Sequence, residues 1–264
     1  MLDALFIAAT GMQAQQTNVD TIANNLANVN TPGFKKGRVS FSDLITQDAT
    51  KLLGIAGDAA AGVSGATTRV GVGVGIANMD KVLDVGDLKK TDSAFDVAIA
   101  GQGFIEVQMP DGTRAFTRGG TLKVNQDGML ATQTGYALKP GIAIPENATD
   151  MQIGADGHVM VRLSGQTTPT DAGQLELVRF PNAGAVTAMG DNLYRTNENA
   201  GEPIAMRAGD DGTSQIQQGF LEGSNVKLVD EMVGLMIAQR AYEANVKIAQ
   251  ASDEMLGMVN NLRR

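Results

Sequence analysis

Both ends of this chain carry apolar residues spaced by seven, and this spacing constrains the fold more than any other feature. Apolar residues that recur in this way are typical of α-helices that pair along one face. The N-terminal set consists of Leu5, Met12, Val19, Ile22, Leu26 and Val29. The C-terminal set consists of Leu228, Leu235, Tyr242, Ala249, Leu256 and Val259. The sequence therefore predicts long terminal heptad helices that pair as a coiled coil.

The first helix is predicted over residues 2 to 28. Its end is indicated by Asn30-Thr31-Pro32-Gly33, because proline disfavours helix in the residue before it and glycine permits the turn that follows. The heptad positions of this helix lie within that range, except for Val29, which lies between its predicted end and Asn30.

The last helix is predicted over residues 225 to 262. Ser224 is the expected N-cap, and Asp230 and Glu231 lie near the start, where acidic side chains stabilise a helix. Arg263 and Arg264 lie at the other end, which favours cations.

Between the helices the apolar spacing changes to two, and Asp-Gly turns separate the alternating segments. The alternating apolar residues include Ile105, Val107, Met109, Leu122, Val124, Val159, Val161, Leu163, Leu175 and Leu177. Short alternating segments with such turns favour an antiparallel β domain. The expected fold class is α+β, with a helical domain (1–35 and 222–264), an extended connector with one hairpin (36–78) and an antiparallel β core (79–221).

Composition restricts the partners and the location of the protein. The formal net charge is −8, which disfavours nucleic acid, and the short run Lys35-Lys36-Gly37-Arg38 is interpreted as a solvated loop rather than a binding patch. No stretch of about 18 consecutive apolar residues is present, so the protein is not expected to be embedded in a membrane. The first nine residues contain Asp3 and no basic segment, so no cleavable signal peptide is expected.

The residues that usually carry chemistry are scarce. There is no cysteine, and His158 is the only histidine, which excludes zinc sites built from several imidazoles. The acidic segments 125–128 and 210–212 are interpreted as turns rather than as calcium-binding loops. The glycines of 71–75 are not followed by the βαβ pattern that a dinucleotide-binding loop requires. No enzymatic activity, metal or cofactor is expected. A glycan-acting enzyme using two of the scattered carboxylates is a less favoured alternative.

The terminal helices carry the functional signal. Four asparagines, at 18, 24, 25 and 28, weaken the first helix, which therefore needs outside contacts. The last helix has more apolar surface than one partner helix would cover, and the flanking residues are Val229, Met232, Val233, Met236, Ile237 and Val246. These features predict self-assembly through helices from several subunits.

Several motifs resemble those of the bacterial flagellar rod and hook protein family. They are Ala23–Lys35 (ANNLANVNTPGFK), Asp96–Phe104 (DVAIAGQGF), Phe116–Gly120 (FTRGG) and Ala238–Asn245 (AQRAYEAN). The resemblance covers essentially the whole chain. Its motif residues at the two ends are Asn24, Asn25, Leu26, Asn28, Gly33, Phe34, Gln239, Arg240, Tyr242 and Asn245.

The length, the segment Gly219–Val226 and the insert before Val70 resemble the distal rod members most, with a proximal rod or hook paralogue as the alternative. The resemblance implies a rigid helical homopolymer that transmits torque across the periplasm. It implies proximal rod proteins, hook protein, P- and L-ring proteins, the rod cap and the flagellar type III export apparatus as partners, and export without a cleaved signal peptide. Residues 46 to 68 are expected to lock the straight rod against bending.

Overall fold

Long α-helices form both ends of the chain in the computed structural model, which describes residues 2–46, 70–166, 168–209 and 214–262. The first helix, α1, spans Leu2–Ala27, and the last, α2, spans Leu228–Leu262. The two predicted terminal helices are confirmed. α1 is followed by a turn in which Gly33 has a φ of +70°, a value that glycine adopts more readily than other residues. The predicted heptad position Val29 lies beyond the end of α1.

The start of α2 differs from the prediction. Ser224 is not the N-cap, because the helix begins only at Leu228. The Ser224 hydroxyl instead accepts a hydrogen bond from the backbone N–H of Val226 at 3.3 Å, and so stabilises the turn before the helix. Asp230 and Glu231 lie in the first helical turn, as predicted. Arg263 and Arg264 lie outside the described residues.

The middle of the chain consists of short β-strands, and the recorded strand registers are antiparallel, which confirms the predicted class. The first nine strands are β1 (Gly37–Thr46), β2 (Val70–Lys81), β3 (Leu88–Lys90), β4 (Asp96–Ala100), β5 (Phe104–Gln108), β6 (Arg114–Thr117), β7 (Gly119–Val124), β8 (Leu130–Thr132) and β9 (Ala137–Lys139). The others are β10 (Ala148–Ile153), β11 (His158–Leu163), β12 (Thr170–Gln174), β13 (Glu176–Arg179), β14 (Thr187–Gly190), β15 (Leu193–Arg195), β16 (Ile204–Arg207), β17 (Gln215–Gln218) and β18 (Phe220–Glu222).

The strands form four sheets within the described residues. The largest has eleven strands and contains the order β14-β15-β6-β5-β9-β8-β7-β4-β17, with β13 paired to β5 and β16. A three-stranded sheet has the order β10-β11-β12, and β18 pairs with β3. β1 and β2 form a two-stranded sheet from part of the predicted connector. Residues 47–69, which hold nearly all of the segment expected to lock the rod, lie outside the described residues, as do 210–213.

Alternation predicted much of the interior of the β region, although Val124 is exposed. Ile105 and Val107 in β5 are fully buried, and the turn at Asp111-Gly112 connects β5 to its antiparallel neighbour β6. The Asp111 carboxylate accepts a hydrogen bond from the backbone N–H of Thr113 at 3.0 Å, which stabilises that turn. His158 lies in β11, where its Nδ1 is 3.4 Å from the carboxylate of Asp171.

The chain folds as two compact units. The first unit comprises residues 1–26, 37–80 and 228–264, and in it the hydroxyl of Thr10 on α1 lies against Gly73 of β2. The second unit comprises residues 27–36 and 81–227, and it contains the main apolar core.

A smaller aromatic cluster lies in the second unit. The rings of Phe104 and Phe180 are 5.4 Å apart, and the ring of Tyr194 lies 5.6 Å from that of Phe104 in an edge-on arrangement. Tyr194 is only 3% exposed, and burial raises the pKa of its hydroxyl to about 12 from the usual 10.0.

This shift predicts how stability depends on alkaline pH. The folded state holds the Tyr194 proton more tightly than the unfolded chain does. The protonated hydroxyl therefore stabilises the fold fully below pH 10, and this stabilisation is lost as the pH rises to about 12. The expected loss is about 2 kcal/mol of unfolding free energy. Denaturant unfolding at several pH values should show this loss for the wild type but not for Tyr194→Phe. Tyr136→Phe controls for removal of a hydroxyl, and an equal effect of both substitutions would contradict the assignment.

Candidate assembly surface and buried junction

Besides Leu228, five large apolar side chains lie exposed on the first three turns of α2. We call this set the α2 apolar patch, and it consists of Val229, Met232, Val233, Met236 and Ile237. Val229 is 69% exposed and Ile237 is 63% exposed, so the chain itself leaves most of this surface uncovered. A contiguous apolar patch of this kind is typical of a protein–protein interface.

The side of α2 that meets α1 is made of smaller or more polar residues. Gly234 lies against Ile22, whose Cδ1 would be 3.6 Å from a Cβ at that glycine. The Asn25 side-chain amide donates a hydrogen bond to the carboxylate of Glu231 at 3.1 Å. Ala238 is almost completely buried. These small or polar residues let α2 approach α1 closely, and the large apolar side chains of the α2 apolar patch lie away from this contact.

The structure distributes the predicted self-assembly residues over several environments. On α1, Ile22 is buried, and half-buried positions are Leu5, Met12, Val19 and Leu26. On α2, half-buried positions are Leu235, Ala249 and Leu256, and exposed positions are Leu228, Met232, Tyr242 and Val259. Val29 is half-buried in the turn after α1.

The motif residues likewise fall into different environments. Asn25 is buried, Asn24 is exposed, and Asn28 is half-buried in the turn after α1. The ring of Phe34 lies 4.5 Å from the Lys81 ammonium, which is a cation–π contact. On α2, exposed positions are Gln239, Arg240 and Tyr242, and Asn245 is half-buried.

A buried ionic cluster lies in the second unit, and we call it the buried junction. The Glu222 carboxylate pairs with the Lys35 ammonium at 2.6 Å and with the Arg118 guanidinium at 2.9 Å. All three side chains are nearly inaccessible to solvent. Glu222 also accepts a hydrogen bond from the backbone N–H of Gly86 at 2.9 Å.

The two cations of the junction also bind backbone carbonyls. Arg118 donates to the carbonyls of Gly101 and Gly103 at 2.8 and 3.1 Å, and Lys35 donates to that of Asp84. Burial lowers the pKa of Lys35, and the neighbouring Glu222 carboxylate opposes that shift. The junction therefore holds five chain segments together through satisfied charged groups.

Sequence reasoning missed this cluster. The interpretation of Lys35 as part of a solvated loop is wrong, because the side chain is buried and paired. Charge patterning fails here because the partners, Arg118 and Glu222, are far away along the chain. The one signal in the sequence is that each of the three residues lies inside a segment singled out for its family resemblance.

Family models match three parts of the chain. Residues 5–35 match "Flagella basal body rod protein", residues 98–161 match "Flagellar hook protein FlgE/F/G D1 domain", and residues 217–262 match "Flagellar basal body rod FlgEFG protein C-terminal". The segments that contribute all three junction residues and both terminal helices thus lie largely within these matches. They define a protein of the flagellar rod and hook class.

Relatives of full length identify the branch of that class. The FlgG basal-body rod protein of Borreliella burgdorferi is 43% identical over 100% of both chains. The FlgG proteins of Buchnera aphidicola (from Schizaphis graminum) and Caulobacter vibrioides are 42% and 39% identical over 99% of this chain and 100% of theirs. The chain belongs to the FlgG family of flagellar basal-body rod proteins. It is a structural subunit of the distal rod in the flagellar basal body.

Two further findings concern the described part of the chain. No helix there is long and apolar enough to cross a membrane. In the same residues no group of histidine, aspartate and glutamate side chains is arranged to hold a metal ion.

The buried junction predicts a large stability effect. Glu222→Gln leaves the two cations buried without their counter-charge, which should lower the free energy of unfolding by about 3–5 kcal/mol. Glu202→Gln, an exposed glutamate in the same unit, should change it by less than about 0.5 kcal/mol. Denaturant titration followed by circular dichroism measures both. Equal stability of the two variants would show that Glu222 does not stabilise the second unit.

Proposed function

We propose that the chain self-assembles into a rigid helical tube that transmits motor torque across the periplasm to the hook. The observation that carries this proposal is the α2 apolar patch, which the subunit leaves in water. A second copy of the chain is the proposed occupant, because the family is one of rod proteins and a rod requires repeated contacts between subunits. Contacts that do not close on themselves generate a helical polymer.

The predicted coiled-coil pairing of α1 and α2 forms part of this proposal. In the tube, the helix pair of one subunit packs through the α2 apolar patch against helices of its neighbours. Helices in several layers resist twisting better than a single pair, since each buried side chain touches several others. The half-buried Leu235 becomes fully enclosed when a neighbouring helix docks.

Specific partners and the route of export are also proposals. The tube joins proximal rod proteins at one end and hook protein at the other, and it passes through the P- and L-ring proteins. The subunit is exported through the flagellar type III export apparatus without a cleaved signal peptide and meets the rod cap during growth. Membership of the rod family supports each of these statements. The chain acts as a structural element and not as a catalyst.

Electron microscopy of concentrated full-length protein tests the assembly. The wild type should form straight, stiff tubes. Leu235→Asp and Ile237→Asp should prevent them, because a charge buried in a helix interface costs several kcal/mol. Ile237 is the sharper test, since its exposure in the single subunit means that aspartate there does not disturb the fold of the chain itself.

Gln250→Asp provides the matched control, because Gln250 is an exposed polar residue of α2 outside the patch. It should assemble like the wild type. Circular dichroism should show a folded β core in all variants. Normal tubes formed by Ile237→Asp would contradict the role of the patch, and dispersed wild-type protein would contradict autonomous assembly.

Hydrogen exchange tests the consequence for the free subunit. In dilute monomer the amides of the β core should be protected, whereas those of α1 and α2 should exchange quickly because their outer apolar surface has no partner. On assembly the helices should gain protection. Strong, uniform protection of both helices in dilute monomer would show that they are stable without neighbours.

A further inference from the structure

α1 and α2 touch at three points that share one register. Gly11 lies against Asn245, Ile22 against Gly234, and Asn25 is hydrogen-bonded to Glu231. In each pair the two residue numbers add up to 256, so the partner number falls as the α1 number rises. The helices are therefore antiparallel and stay in one register over about 21 Å of helix axis.

The apolar heptads do not select this register. A seven-residue repeat on each helix still places apolar residues opposite each other after one helix slides by seven residues. The predicted α1 positions are only half-buried, apart from Ile22, so their burial does not distinguish one alignment from another. Some other contact must exclude the shifted arrangements.

Asn245 provides one such contact. Gly11 is the only glycine in α1, and a Cβ at this position would be 2.8 Å from the Asn245 side-chain nitrogen, closer than real Cβ atoms approach. A slide of seven residues would place Asn245 opposite Ala4 or Asn18, and both of these residues carry a Cβ. Asn245 therefore packs this closely only opposite Gly11, and at either shifted position its side chain would have to move away.

Asn25 provides the second contact. Its side chain is 2% exposed, accepts a hydrogen bond from the backbone N–H of Gly37 at 2.8 Å, and donates to Gly37 and Glu231. A slide in one direction would replace Glu231 by Ala238, which has no acceptor in its side chain. A slide in the other direction would place Ser224 there, beyond the start of α2. Either shift would cost the buried amide a partner.

We propose that Asn25 and Asn245 are positioning residues that fix the antiparallel register of α1 against α2. A buried asparagine that specifies the alignment of paired helices at some cost in stability is an established physical device. The inference rests on the proposed function only in that the register decides which side chains the helix pair presents to a second subunit. Its test does not require that tubes form.

The absence of cysteine from the chain makes a direct test possible. In concentrated full-length protein, Gln15→Cys/Ala241→Cys reports the observed register, since these numbers also add up to 256. Gln15→Cys/Ile248→Cys reports a slide of seven residues, which displaces the pair by about 10 Å and prevents a disulfide in the observed register. Intrachain disulfides are separated from interchain ones by their migration on denaturing gels.

In the wild-type background the first pair should form the intrachain disulfide at least about tenfold more than the second. Adding Asn25→Leu/Asn245→Leu should reduce this preference to about twofold or less, because only the apolar heptads then guide the pairing. Gln16→Leu/Gln250→Leu makes the same kind of change at exposed positions and should retain the full preference. Circular dichroism checks that helix content is kept.

Two results would overturn the proposal. One is an unchanged preference in the Asn25→Leu/Asn245→Leu background, and the other is equal cross-linking of both reporter pairs in the wild-type background. Electron microscopy of the same samples separates this question from assembly. A register-specific disulfide without tubes would contradict the proposed polymer and leave the register assignment intact.

Discussion

The buried Glu222 carboxylate is the interaction on which the second unit depends. It lies between Lys35, which follows α1 in the chain, and Arg118, which belongs to the β core. Both cations pair with this one carboxylate, and further donors of each bind backbone carbonyls, so every charged group of the cluster has polar partners, as buried ions require. The ion pair of Lys35 with Glu222 therefore connects the segment that follows α1 to the segment that precedes α2, and both segments belong to the second unit.

Different faces of the terminal helices serve the contact between α1 and α2 and the proposed contact with neighbouring subunits. Besides Ile22, the contacts between α1 and α2 use glycine, asparagine and glutamate, which permit close approach and specify an alignment but bury little apolar surface. The large apolar residues of α2 remain exposed, and in the proposed tube they supply the stabilisation that the pair alone lacks. We therefore expect such a subunit to order its ends most strongly when neighbours are present.

Much of the fold could be predicted because local patterns report local structure. Alternation located β5 and β11, the proline and glycine after residue 30 located the end of α1, and the heptads located both helices. The heptads were less informative about contacts, since they mark apolar residues and the pairing observed between the helices involves Gly11 and Asn245. Ser224 was misassigned because a capping residue type also serves turns, and nothing local distinguishes the two uses.

The sequence by itself determined the α+β class, the two terminal helices, the antiparallel core and membership of the rod and hook class, because periodicity and motifs are properties of neighbouring residues. Only the tertiary structure decided which lysine is buried, which face of each helix is shared and which is left open. Lys35, Arg118 and Glu222 are distant along the chain and become partners only when the strands assemble. Their pairing is set by the packing of the whole unit, and no local pattern encodes it.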